Sequence, residues 1–252
     1  MIRRALLALL LLASCATVPQ EKLPVLFVHG NGGSAHQWRA QVAHLQPSRR
    51  AIAFDLPGMG QAPPATDYSV AGNAEAIGKA ADANQLQRFI LVAHSYGGVP
   101  AAYYASKHPD RVAALILVDS AWNVSIDDEL ALSIAQAIRA DRDKVVRGWF
   151  GQIMKNSTPE VQKEVLDDVH ASNIDAFLGA LEGLRHVDMK ALLDAYPGPK
   201  FAIIAADIEG PQSVSVQDPS IPVKKIAGTG HWLMLDKPDD VNRALDEILR
   251  GF

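Results

Sequence analysis

The chain has 252 residues, of which 48% are hydrophobic and 21% charged, an ordinary balance for a globular protein with a buried core, divided into one large domain or two small ones. A formal charge of −4 without a long run of either sign argues against a nucleic-acid partner, which needs a basic face. A single cysteine excludes an internal disulfide.

The chain opens Met1-Ile2-Arg3-Arg4 and continues to Ala13 almost entirely in Leu and Ala. A basic start before a short apolar stretch reads as a secretory signal, too short to remain as a membrane-spanning helix. The stretch ends in Leu12-Ala13-Ser14-Cys15, which resembles the lipobox of bacterial lipoproteins. That resemblance implies cleavage before Cys15 and acylation of the new terminus, so that a membrane surface becomes a partner through the lipid. Ala16 stands where Asp would favour the inner membrane, which points to the periplasmic face of the outer membrane. The expected organisation is a signal peptide over 1–14 and a tether over 15–23.

Beyond the tether, apolar runs alternate with helical stripes. A strand over 24–28 leads into His29-Gly30-Asn31-Gly32-Gly33, and a helix is expected over 34–45. A strand over 50–54 ends at Asp55, followed by a turn with Pro57, Gly58 and Gly60. A helix over 70–84 precedes a strand over 89–93, the sharp turn His94-Ser95, a helix over 97–107 and a strand over 112–118. Strands over 200–205 and 223–226 and a helix over 238–249 complete the pattern. Continuously apolar strands are buried on both faces, and strands separated by helices form parallel sheets through right-handed crossovers. The fold class is therefore α/β, doubly wound, with the ligand site at the carboxyl ends of the strands.

Residues 122–195 break this rhythm. Leu130, Ile134 and Ile138 recur at helical spacing, Pro159 suits the first turn of a helix carrying Val161, Val165 and Val169, and Ile174, Phe177, Leu178 and Leu181 form a third stripe. An inserted helical block between two strands makes a cap over the site, leaving 24–121 and 196–252 as the core.

The chemistry concentrates at Val92-Ala93-His94-Ser95-Tyr96-Gly97-Gly98, where a buried strand turns directly into a helix. This is a nucleophile elbow, usually Gly-x-Ser-x-Gly, with Ala93 in place of the first glycine. A serine hydroxyl needs a base, and His231 lies in Gly228-Thr229-Gly230-His231-Trp232, a loop at another carboxyl end of the same sheet. His29 and His94 flank the site in structural roles, and the other five histidines fall in helices or at helix ends. The oxyanion donors are expected at the backbone N–H groups of Tyr96 and Asn31, each contributing about 3 kcal/mol to lowering the barrier.

His29-Gly30, Asp55-Leu56-Pro57-Gly58-Met59-Gly60, His94-Ser95-Tyr96-Gly97-Gly98, Leu117-Val118-Asp119 and Gly230-His231 together resemble the α/β-hydrolase superfamily, in its order and across most of the chain. Two positions depart from the family pattern, Met59 where His is common and Ala62 where Ser is frequent. The family's first hairpin is missing, leaving about six strands. The resemblance places the acid after the penultimate strand, at Asp207 in Ala205-Ala206-Asp207-Ile208-Glu209. Some relatives take it instead from the end of the strand after the nucleophile helix, here Asp119, and Glu209 is a third option. The acid orients the imidazole and stabilises its cation.

The expected activity is an esterase-like serine hydrolase acting on a small or medium hydrophobic substrate through an acyl-enzyme. Trp122, Trp149, Phe150 and Trp232 are candidate substrate contacts, with Met154 and Phe177 also in the apolar cap. Serine instead of aspartate as nucleophile argues against dehalogenase and epoxide-hydrolase chemistry. Carbon–carbon bond hydrolases, amidases and lyases share these parts, and a non-catalytic envelope binding protein is the reading from another class. No metal cluster or nucleotide loop stands out, and no cofactor is expected.

Overall fold

The computed structural model describes residues 22–120, 122 and 126–252. The signal segment and Cys15 lie outside the described residues. Six strands form one sheet: β1 (Val25–Val28), β2 (Ala51–Phe54), β3 (Phe89–His94), β4 (Val112–Val118), β5 (Lys200–Ala205) and β6 (Val223–Ile226). Their order is β2-β1-β3-β4-β5-β6, and every pairing is parallel. The chain runs outward from β1 to β2, then returns to place β3 on the other side of β1. The switch point thus falls between β1 and β3, where an open α/β sheet leaves a crevice at its carboxyl edge.

The helices are α1 (Arg39–Leu45), α2 (Val70–Ala83), α3 (Gly98–Lys107), α4 (Asp128–Ala140), α5 (Arg142–Ile153), α6 (Pro159–Ala171), α7 (Ile174–His186), α8 (Met189–Ala195), α9 (Val214–Gln217), α10 (Leu233–Asp236) and α11 (Pro238–Leu249). The expected helix over 34–45 divides into a 3-10 turn, Ala35–Trp38, and α1. All residues of β1, β3 and β4 are buried, and alternate side chains feed two cores. On one face Leu26, Leu91, Ala93 and Leu117 meet Ile77 of α2, Val99 and Ala102 of α3 and Leu193 of α8. On the other, Phe27, Val92 and Ile116 meet Trp38, Leu45 of α1 and Val241 and Leu245 of α11. None of the helices in the described residues is long and apolar enough to cross a membrane.

Helices α4 to α8 form the insertion between β4 and β5, and the N-caps of α4 to α8 are side chains accepting backbone N–H groups: Asp127, Asp141, Thr158, Asn173 and Asp188. The insertion grips the carboxyl edge of the sheet at polar points. Asp168 of α6 accepts from Ser34 Oγ at 2.9 Å and Gln37 Nε2 at 2.8 Å, and Asn31 Nδ2 donates to the Phe177 carbonyl at 3.1 Å.

The turn from β3 into α3 is tight. Ser95 has φ +50, in the left-handed region, and a Cβ on Gly97 would collide with the His29 carbonyl oxygen of the neighbouring loop. Gly30 is similarly constrained, because a Cβ there would lie 2.9 Å from both Ser95 Cβ and His94 Nδ1. These two glycines let the loops after β1 and β3 meet backbone to backbone.

Candidate active site

The register of the sheet sets the first contact. His94 pairs with Val118 across β3 and β4, so Ser95 and Asp119 leave adjacent strands side by side. Asp119 also has positive φ, +41, which turns its carboxylate above the sheet edge. His231 reaches the same point from the loop between β6 and α10. Its Nδ1 lies 2.6 Å from Asp119 Oδ2, and its Nε2 lies 2.8 Å from Ser95 Oγ. A neutral imidazole with its proton on Nδ1 donates to Asp119 and leaves Nε2 free to accept from the serine hydroxyl. Such a series can deprotonate the hydroxyl as it attacks and hold the resulting imidazolium beside a carboxylate.

Asp119, and not Asp207, therefore occupies the acid position at His231. Asp207 lies in the 3-10 turn after β5, where its carboxylate accepts the Gly228 backbone N–H. It steadies the histidine loop from outside. Glu209 accepts from Ser215 Oγ and pairs with Lys225, away from His231. The β5 end instead serves Asp119 through its backbone, the Ala205 N–H donating to Asp119 Oδ1 at 3.2 Å.

The backbone of His231 is held from both sides. Its N–H donates to the Ile153 carbonyl at 2.9 Å, and its carbonyl accepts from His94 Nε2 at 2.9 Å. Asp236 Oδ2 accepts from Gly230 N at 2.9 Å and Ser157 Oγ at 2.8 Å, which ties the loop to the connection between α5 and α6. Burial raises the Asp236 carboxyl above the ordinary carboxylate value, and these hydrogen bonds work against that rise. His94 is fully buried, its ring centroid 4.7 Å from that of His231. Burial first, and the neighbouring His231 second, hold His94 well below the usual histidine value of 6.5. His29, also fully buried, is lowered by desolvation; its Nδ1 donates to the Gly30 carbonyl at 2.8 Å and its Nε2 accepts from Leu56 N at 2.9 Å.

Around these groups lies a cavity of about 380 Å³. Ser95, His231 and Asp119 line it, as do Asn31 and Tyr96, the two residues expected to supply oxyanion donors. Asn31 spends its side chain on the Phe177 carbonyl. The Tyr96 hydroxyl is buried against Asn73 Nδ2, 2.9 Å away, and burial pushes its pKa up. Their backbones remain as the elements that can face a ligand. All four apolar candidates, Trp122, Trp149, Phe150 and Trp232, line the same cavity. Met154 and Phe177 are instead packed in the core. Sequence reasoning did not single out Ser120, Ile153, Leu184, Ile204, Ile208 or the 210–214 segment, which complete the wall. The 206–217 stretch has no periodicity to mark it, whereas Asp236, six residues past Gly230 at the end of a short helix, is a polar position that the spacing of that helix could have flagged. No group of three or more potential metal ligands occurs among the described residues.

Residues 24–152 match the family described as alpha/beta hydrolase fold. A Variovorax paradoxus protein bearing the name "Putative carbamate hydrolase RutD" is 32% identical over 75% of this chain and 75% of its own length. A pimeloyl-acyl-carrier-protein methyl ester esterase of Neisseria meningitidis is 27% identical over 73% of this chain and 74% of its own. An esterase structure from Thermogutta terrifontis superposes with a TM-score of 0.79 at 24% identity, covering 92% of this chain and 90% of that one, a likeness of fold. The chain belongs to the α/β-hydrolase family and is a hydrolase of that fold.

Two measurements follow. Asp119→Asn should lower kcat by roughly 10³–10⁴-fold, because the amide favours the wrong imidazole tautomer, whereas Asp207→Asn should stay within about threefold of wild type. The reverse order of damage in purified proteins would return the acid to Asp207. The second concerns pH. Desolvation lowers both His29 and His94 in the native protein, so the unfolded chain takes up protons on them more readily and stability falls as pH drops below about 6.5, with His94, the more strongly lowered of the two, contributing at most about 1.4 kcal/mol per pH unit. Asp168 and Asp236, raised by burial, act with the opposite sign, so the informative quantity is the difference between proteins. Urea unfolding of His94→Gln between pH 7.5 and 5 should show a slope shallower by about one proton than wild type; parallel slopes would mean that His94 titrates normally.

Proposed function

We propose that this hydrolase is a serine esterase cleaving small or medium, partly hydrophobic ester-like substrates. The observation that carries this reading is the continuous hydrogen-bonded series from Asp119 through His231 to Ser95, opening into an aromatic-walled cavity. In the proposed reaction Ser95 Oγ attacks the carbonyl carbon as its proton passes to His231 Nε2. The oxyanion forms near the Asn31 and Tyr96 N–H groups, the latter at the start of the turn into α3. Collapse breaks the carbonyl–alkoxy bond, and His231 returns the proton to the departing alcohol. Water, deprotonated by the same nitrogen, then attacks the acyl-enzyme and releases the acid with Ser95 restored.

Serine in the nucleophile position separates this chain from aspartate-based chemistry, although a haloalkane dehalogenase of Mesorhizobium japonicum is 26% identical over 88% of it. The named esterase and hydrolase relatives support an acyl substrate. Purified wild-type protein should turn over p-nitrophenyl esters and react with a fluorophosphonate at Ser95, and Ser95→Ala should do neither while unfolding at an unchanged urea midpoint. Appreciable turnover by Ser95→Ala would sink the mechanism.

We also propose that Cys15 is lipidated and holds the enzyme on the outer membrane, which the sequence Leu12-Ala13-Ser14-Cys15 supports. Cys15→Ser should move the protein from the membrane to the soluble fraction on cell fractionation; unchanged membrane association would count against a lipid anchor.

A further inference from the structure

The cavity at Ser95 shares part of its wall with a neighbouring space. A second hollow of about 630 Å³ runs between α4 and α7, and Trp149, Leu181 and Leu184 line both spaces. We propose that this α4–α7 groove binds the alkyl part of the substrate: a straight, uncharged acyl chain attached at Ser95 passes Trp149 and lies between the two helices. The inference rests on the reading of Ser95 as nucleophile and makes the preferred substrate an ester of a medium to long fatty acid.

Three features of the groove point to that occupant. Its floor is apolar along its length, with Ile134 and Ala135 of α4 facing Leu178 and Leu181 of α7, and Gly179 adding no side chain. Its charged residues are paired: Arg139 with Asp175 at 2.7 Å, and Arg185 with Glu182 at 2.8 Å, so the walls hold a neutral ligand better than an ionic one. Its mouth is where apolar surface meets water. Leu132 is 60% exposed and Trp149 44%, and these are two of only four large exposed hydrophobic residues among the described residues. Exposed apolar side chains along a groove that shares a wall with the cavity at Ser95 favour an apolar chain as its occupant.

The test compares kcat/KM for p-nitrophenyl butanoate and decanoate, both as dissolved monomers, in wild type, Ala135→Trp and Leu132→Glu. Neither residue lines the cavity at Ser95. Wild type should prefer decanoate. Ala135→Trp, which fills the groove, should cost decanoate at least about tenfold, since each methylene returned to water is worth up to about fourfold, and leave butanoate within about twofold. Leu132→Glu, at an exposed position that does not threaten folding, should erode the same preference by severalfold. Decanoate preference surviving in both variants would overturn the proposal. So would a loss seen only with substrate in phosphatidylcholine vesicles, which would assign the exposed residues to membrane docking. Failure of the underlying reading looks different: Ser95→Ala would then retain butanoate turnover.

Discussion

The hydrogen bond between Asp119 and His231 is the contact on which the rest of the site depends, and neither end of it is held locally. Asp119 stands where β4 stops, beside Ser95 where β3 stops, because the two strands pair in the one register that places His94 opposite Val118. Both residues sit at positive φ, a conformation that costs a non-glycine residue about 1–3 kcal/mol. Two fully buried strands, the Ala205 N–H on Asp119 and the Ser120 hydroxyl on the Ala93 carbonyl over-determine the geometry and offset that cost. A shift of β4 by one residue would remove the carboxylate and invert every core side chain of the strand together.

His231 has no strand to fix it, so its loop is held by neighbours from three other segments: Ile153 at the end of α5, His94 beneath it, and Asp236 behind it. The neutrality of His94 matters here. A charged imidazole with its centroid 4.7 Å from that of His231 would oppose any positive charge on His231. Burial removes that competitor and leaves the Asp119 carboxyl group facing His231.

Most of this was legible in the chain. Strands β4, β5 and β6 and helix α11 lie at the expected bounds: β4 and most of β5 are apolar runs between turn residues, and α11 shows Val241, Leu245, Ile248 and Leu249 at helical spacing, whereas β6, Val-Lys-Lys-Ile, is marked by its place between two turns. Ser95 and His231 could be found because each occupies a short glycine-rich turn at a strand end. The acid was harder, since Asp119 and Asp207 have the same local appearance, an acidic residue just past a buried strand. What separates them is lateral: β4 neighbours β3 directly, and β5 is one strand further out. Strand order is a property of the whole sheet and leaves no mark on five residues of sequence. The 3-10 turn at Ala35–Trp38 was missed for a related reason, because Asp55 Oδ1, just past the end of β2, draws in the Ala35 N–H at 2.6 Å.

The inserted helices are bound to the chemistry unevenly. The end of α5 carries the carbonyl that holds His231, and α7 carries the carbonyl that holds Asn31. Changes in those stretches must alter the placement of His231 and Asn31 along with the cavity wall. Helix α4 carries neither contact; it contributes Leu132, Ile134 and Ala135 to the groove and a buried Ile138 to the core. Substitution on its groove-facing side can therefore reshape the apolar path to Ser95 without moving any group of the hydrogen-bonded series. In a fold where one set of parts serves many substrates, that separation lets the groove change shape while Ser95, His231 and Asp119 stay in register.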